Sequence, residues 1–124
     1  MSRILIIDDD QSLADTCAMV LSAGGYRVAK AKDGSEGISV LQVEPADLIL
    51  TDLQMPYGGI PAIRQLRKLH PKIPIIAMSG APKPLELAGI LGAHRTLAKP
   101  FTPADLLAAV AETLAKPPDS APAE

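Results

Sequence analysis

Three short apolar runs in this chain, and a fourth, mixed stretch, end in residues that could do chemistry. Ile4-Leu5-Ile6-Ile7 stops at Asp8-Asp9-Asp10, and Leu48-Ile49-Leu50 stops at Thr51-Asp52. Ile73 to Met78 ends at Ser79-Gly80, and Arg95 to Ala98 runs into Lys99. A run this short, bounded by polar, Gly or Pro residues, reads as a strand buried on both faces. Neighbouring carboxylates repel one another, which raises a pKa or weakens the fold unless a cation joins them. Asp8, Asp9 and Asp52 therefore point to a hard divalent ion, Mg²⁺ or Mn²⁺, held by carboxylate oxygens and water. In such a site Asp52 is an anionic nucleophile for a phosphoryl group. Lys99 pairs with that group as a point charge, and Ser79 hydrogen-bonds one of its oxygens. Each signal is weak alone, because three aspartates in a row are commonly a solvated loop and a Lys before Pro is commonly a surface residue. Their conjunction at the ends of different strands is what makes a site.

The elements that must position these residues follow from periodicity. Ser12 with Asp15 reads as a helix start, with Asp10 also near the positive helix end, and Leu13, Cys17, Val20 and Leu21 form one apolar stripe closed by Gly24-Gly25. Tyr26 to Ala31 alternates apolar and charged residues as a second, more exposed strand. Asp33 with Glu36 opens a second helix that ends before Pro45. A third helix runs from about Ile60 to Leu69, and Thr102-Pro103-Ala104-Asp105 opens the last one. Between them, only about two helical turns fit from Pro84 to Gly92. In that short fourth helix Leu85 and Ile90 point away from the side shared by Leu87, Ala88 and Leu91. They are either ragged local packing or an exposed interaction face. Five strands alternating with five helices predict an α/β fold, a three-layer doubly wound parallel sheet of five strands. Residues 1–115 are expected to form one domain, with 116–124 a disordered Pro/Ala-rich tail.

Composition narrows the function classes. The chain has 124 residues and a formal net charge of −2, with no long basic run, which argues against nucleic-acid binding by this domain alone. No apolar stretch is long enough to span a bilayer, so a cytoplasmic location without membrane attachment is expected. The single cysteine, Cys17, suits a reducing compartment and reads as a small buried hydrophobe.

The segments I-L-I-I-D-D-D, L-I-L-T-D-L-Q-M-P, I-P-I-I-A-M-S-G and L-A-K-P-F, in that order, resemble the receiver domains of two-component response regulators, including the chemotaxis-type single-domain regulators. The resemblance covers roughly Arg3 to Ala115. It implies a flavodoxin-like (βα)5 fold with strand order 2-1-3-4-5. It also implies that Asp52 accepts a phosphoryl group from a phosphohistidine on a sensor histidine kinase or histidine phosphotransfer protein. Mg²⁺ would be held by Asp9, Asp52 and the backbone carbonyl of Gln54, with Asp8 assisting through water. Ser79 and Lys99 match the family's phosphoryl-gripping hydroxyl and lysine, and Lys99-Pro100 matches its commonly cis bond. Such a protein is a phosphoacceptor that slowly loses its own phosphoryl group, rather than a turnover enzyme. It signals through conformational change or protein contact, to a downstream protein or a second copy, by way of the fourth helix, fifth strand and last helix.

Three departures bear on output. The switch position three residues before the lysine is Thr96 rather than Tyr or Phe, so no aromatic rotation can report phosphorylation there. The turn after Asp52 is one residue short of the family's usual form, and the segment from Ser79 to Ala93 is two residues short. The chain also reads as a receiver domain of a larger regulator or hybrid kinase, with a stand-alone regulator the favoured alternative. A haloacid-dehalogenase-type phosphatase, with Asp8 and Asp10 as its D-x-D motif, is a remote reading because no distal acidic pair follows. A flavin-binding module fails because three aspartates would repel the cofactor's phosphate. His70 and His94 read as isolated surface histidines.

Overall fold

The computed structural model describes residues 2–53, 59–80 and 92–115. Five parallel strands form one sheet: β1 Arg3–Ile7, β2 Arg27–Ala31, β3 Leu48–Asp52, β4 Ile75–Ser79 and β5 Arg95–Ala98. Their order across the sheet is β2-β1-β3-β4-β5, as the resemblance implied. The described helices are α1 Gln11–Ala23, α2 Gly34–Val43, α3 Gly59–Leu69 and a C-terminal helix, Pro103–Ala115. The fourth-helix region, residues 81–91, and the expected tail, residues 116–124, lie outside the described residues.

The three central strands are apolar up to their polar end residues because both faces are covered. One face packs Ile4, Ile6, Leu48, Leu50, Ile76 and Met78 against α1 and the C-terminal helix. The other packs Leu5, Ile7, Ile49, Ile75 and Ala77 against α2 and α3. Each such side chain, fully withdrawn from water, contributes on the order of 1.5–3 kcal/mol. Close approach of α2 to the sheet depends on Gly37, since a Cβ there would stand 2.7 Å from Ile7 Cδ1. Register places Ile7 beside Thr51, Asp52 beside Met78 and Ser79 beside Ala98, so the strand ends line one edge of the sheet.

Helix starts follow the capping chemistry, with one correction. Asp33 accepts from Glu36 N at 2.8 Å, and Thr102 and Asp105 cap each other reciprocally, each bond 3.0 Å long. The first helix, however, is capped by Asp10, whose Oδ1 accepts from Leu13 N at 3.2 Å, and Ser12 lies inside the helix. Asp10 wins because helix formation starts directly at Gln11, one residue after the strand-end turn. Strand β4 starts at Ile75 rather than Ile73, since Pro74 supplies only its carbonyl, to Ile49 N at 2.9 Å. Strand β2 starts at Arg27, because the Tyr26 amide closes the turn after α1 by bonding to Leu21 O. No helix among the described residues is long and apolar enough to cross a membrane.

Candidate phosphoacceptor site

Four strand ends build the site. Asp52 is the last residue of β3 and only 3% exposed. Asp8 follows β1 and is fully buried, with its amide anchored to Ala31 O at 3.0 Å. Asp9, next in the chain, is exposed. Ser79 ends β4 and is buried, and its carbonyl accepts from Lys99 N at 2.9 Å, which fixes where Lys99 leaves β5. Lys99 Nζ reaches across to Asp52 Oδ1 at 3.1 Å. The Lys99–Pro100 bond is cis.

The charges are unbalanced. One oxygen from each of Asp8, Asp9 and Asp52 lies within 4.8 Å of the others, and among the described residues the ammonium of Lys99 alone pairs with them. Asp8 Oδ1 accepts from Asp10 N at 2.9 Å, whereas Oδ2 is buried with no hydrogen-bond partner among the described residues. Burial, reinforced by the charge of Asp52, pushes the Asp8 carboxyl up to about 6, although the Asp10 amide holds it back in part. A buried carboxylate with an unpartnered oxygen, clustered with two further carboxylates, is what a hard, oxygen-binding cation satisfies, so the donor set fits a divalent ion of the Mg²⁺ type. Cys17 is buried nearby, and burial together with the Asp8 charge pushes its thiol up to about 11, which leaves it inert as a nucleophile.

Asp8, Asp9, Asp52, Ser79 and Lys99 thus converge from β1, β3, β4 and β5. Asp10 does not join them, because its carboxylate is committed to capping α1, and the D-x-D phosphatase reading loses its second acid. Gln54, Leu85 and Ile90 lie outside the described residues. Thr96 is exposed on β5, on the same face of the sheet as Ala77. A sequence model of the response regulator receiver domain matches residues 4–111. The chain belongs to this family. Receiver domains are signalling phosphoacceptor domains of two-component systems. Among curated proteins, the chain is 38% identical over 104 residues to the CAI-1 autoinducer sensor kinase/phosphatase CqsS of Vibrio cholerae, covering 79% of this chain and 15% of that protein. It is 35% identical over 124 residues to the response regulator MprA of Mycobacterium bovis, covering 96% of this chain and 54% of MprA. The chain therefore spans about half or less of the length of these curated relatives. Among solved structures, the chemotaxis protein CheY4 of Vibrio cholerae superposes with a TM-score of 0.84 at 28% identity, covering 91% of this chain and 98% of CheY4. A CheY-like receiver domain protein from Methanospirillum hungatei gives 0.87 at 30% identity, covering 93% of this chain and 94% of that one.

One network escaped the sequence reading. Arg67, on α3, donates to the carbonyls of Pro71 (2.7 Å), His70 (3.3 Å) and Gly92 (2.9 Å), and lies 3.0 Å from His94 Nδ1. His94 is half-buried rather than an isolated surface residue, and burial with the Arg67 charge lowers its pKa. Arg67 takes backbone carbonyls as partners, and those leave no sequence signature. The pairing of an arginine in the last turn of α3 with a histidine ahead of β5 was the one available clue.

Proposed function

We propose that Asp52 accepts a phosphoryl group from a phosphohistidine of a sensor histidine kinase or histidine phosphotransfer protein. The supporting observation is the arrangement around Asp52: a buried carboxylate, gripped by Lys99 at 3.1 Å, with Asp8 and Asp9 clustered beside it. Asp8, Asp9 and Asp52, with the Gln54 carbonyl by family resemblance, would hold Mg²⁺ or Mn²⁺. That ion, when bound, neutralises charge on the incoming phosphoryl oxygens. The N–P bond of the donor breaks as an Asp52 oxygen forms the new P–O bond, and the donor imidazole is released. Lys99, already held against Asp52, meets the charge on the transferred group, and the hydroxyl of Ser79 hydrogen-bonds one of its oxygens. Burial limits water at the acyl phosphate, so hydrolysis is slow and the protein holds a signal instead of turning over substrate.

The output runs through a protein contact or a second copy at the region of residues 84–91, β5 and the C-terminal helix, with Leu85 and Ile90 as its apolar contacts. Thr96 offers no ring to rotate, so the change is carried by another part of this surface. The reaction belongs to the cytoplasm, and the buried Cys17 thiol suits a reducing compartment. A second reading, in which this receiver is one segment of a longer regulator or hybrid kinase, is favoured by the length of its relatives. Incubation with acetyl phosphate and Mg²⁺, or with a phosphorylated kinase, should yield an acyl phosphate on Asp52 by peptide mass mapping. Undiminished labelling of Asp52→Asn would refute the assignment.

A further inference from the structure

The charge of this chain is lopsided away from the phosphoacceptor site. No carboxylate occurs between Asp52 and Glu86, whereas Arg64, Arg67, Lys68, Lys72 and Lys83 all fall in that interval. Arg64, Arg67 and Lys68 lie on α3, and Lys72 lies in the turn that follows it. The helix runs from the site edge of the sheet to the opposite edge, so its carboxyl-terminal end is remote from Asp52.

Arg67 is turned inward and spent on carbonyls. Arg64, Lys68 and Lys72 are exposed and make no ion pair among the described residues. Most cations elsewhere are matched across neighbouring elements, Arg27 with Glu44, Lys30 with Asp15 and the half-buried Arg95 with Glu112, whereas Lys32 is exposed and has no ion pair among the described residues. Cations in a last helical turn favour the helix dipole, which accounts for Lys68. The dipole accounts for neither Lys72, beyond the helix, nor Arg64, which repels Lys68 at the i,i+4 spacing. The same edge also carries apolar surface. Leu69, at the end of α3, is 50% exposed, and Val43, at the end of the adjacent α2, is 88% exposed.

We propose that the carboxyl-terminal ends of α2 and α3 form a docking surface for an acidic protein segment. Its carboxylates face Arg64, Lys68 and Lys72, and its apolar side chains cover Leu69 and Val43. Charge complementarity fixes the sign of the partner, and the two apolar positions fix its class. A phosphate backbone or an anionic lipid surface calls for a broader, uninterrupted basic area and gains nothing from Val43. The Arg67 network ties the end of α3 to the start of β5, so the surface is ordered before anything binds. Because it lies at the edge opposite Asp52, it can be occupied whether or not Asp52 is modified.

Titrating the isotope-labelled protein with a short amphipathic peptide of Glu and Leu, at low ionic strength, tests this directly. Amide shifts should cluster at Val43 and at residues 64–72. Reversing two charges with Arg64→Glu and Lys68→Glu should weaken binding about tenfold or more. Lys32→Glu, at the site edge, should leave binding unchanged. Leu69→Ser should weaken it at unchanged charge, and this variant with Lys72→Glu carries the test if the double reversal does not fold. Shifts centred elsewhere, or a double reversal without effect, would overturn the proposal. So would tighter binding of duplex DNA or phosphatidylglycerol vesicles than of the peptide through these same residues.

Discussion

Replacing Asp8 with Asn should stabilise the protein in a chelator and abolish its response to Mg²⁺. Asp8 is fully buried, one of its oxygens has no partner among the described residues, and its carboxyl is pushed from 3.8 up to about 6. A displacement of that size corresponds to about 3 kcal/mol of native-state cost once the group is ionised. Below about pH 4 both folded and unfolded chains hold the proton and the cost vanishes. As pH rises the unfolded chain ionises first, and the penalty grows until the folded carboxyl has also titrated, near pH 6. Asp8→Asn keeps an acceptor for the Asp10 amide and removes the charge, so a gain of about 2 kcal/mol is expected near neutral pH after some residual desolvation of the amide. Urea unfolding of both proteins with a chelator, at neutral pH and near pH 4, reads the difference. The gain should shrink towards zero in acid, and added Mg²⁺ should raise the stability of the parent only. A variant less stable than the parent at neutral pH, or a gain independent of pH, would refute this account of the site.

His94 predicts the opposite pH dependence. Its pKa is lowered in the fold, so the unfolded chain binds a proton first as pH drops below about 6.5, and stability falls with it. His94→Gln, which retains an acceptor for Arg67, should flatten that part of the pH–stability curve measured by urea unfolding. Lys99→Ala should leave the fold intact but strongly reduce labelling of Asp52 by acetyl phosphate, because the cation gripping Asp52 is lost. Gly37→Val should cost about 1–3 kcal/mol in urea unfolding, since its added atoms enter space filled by Ile7. Thr102→Ala should cost about 1 kcal/mol through loss of the reciprocal cap.

How much was legible in advance depended on the kind of signal. Strands β1, β3 and β4 are continuous apolar runs, because burial on both faces removes the need for alternation, and such runs stand out in a sequence. The candidate site was readable for the same reason: each run ends abruptly in a residue of the cluster around Asp52. The cap of α1 was harder, because Asp8, Asp9 and Asp10 are chemically identical and only the turn geometry separates the clustered acids from the cap. Beta-edge boundaries shifted by one or two residues where turn hydrogen bonds at Tyr26 and the missing amide of Pro74 intervened. The Arg67 network was invisible because its acceptors are mainly main-chain carbonyls, whose positions depend on the finished fold.

The Lys99–Asp52 contact, which joins residues 47 positions apart in the chain, also has a consequence for timing. During synthesis the three aspartates leave the ribosome well before Lys99. Until β5 docks on β4 at the edge of the sheet, the aspartate cluster lacks the charge that grips Asp52. A nascent or partly unfolded chain therefore presents the acids without the ammonium that grips Asp52, and on the function proposed above a kinase would select molecules whose last strand is in place.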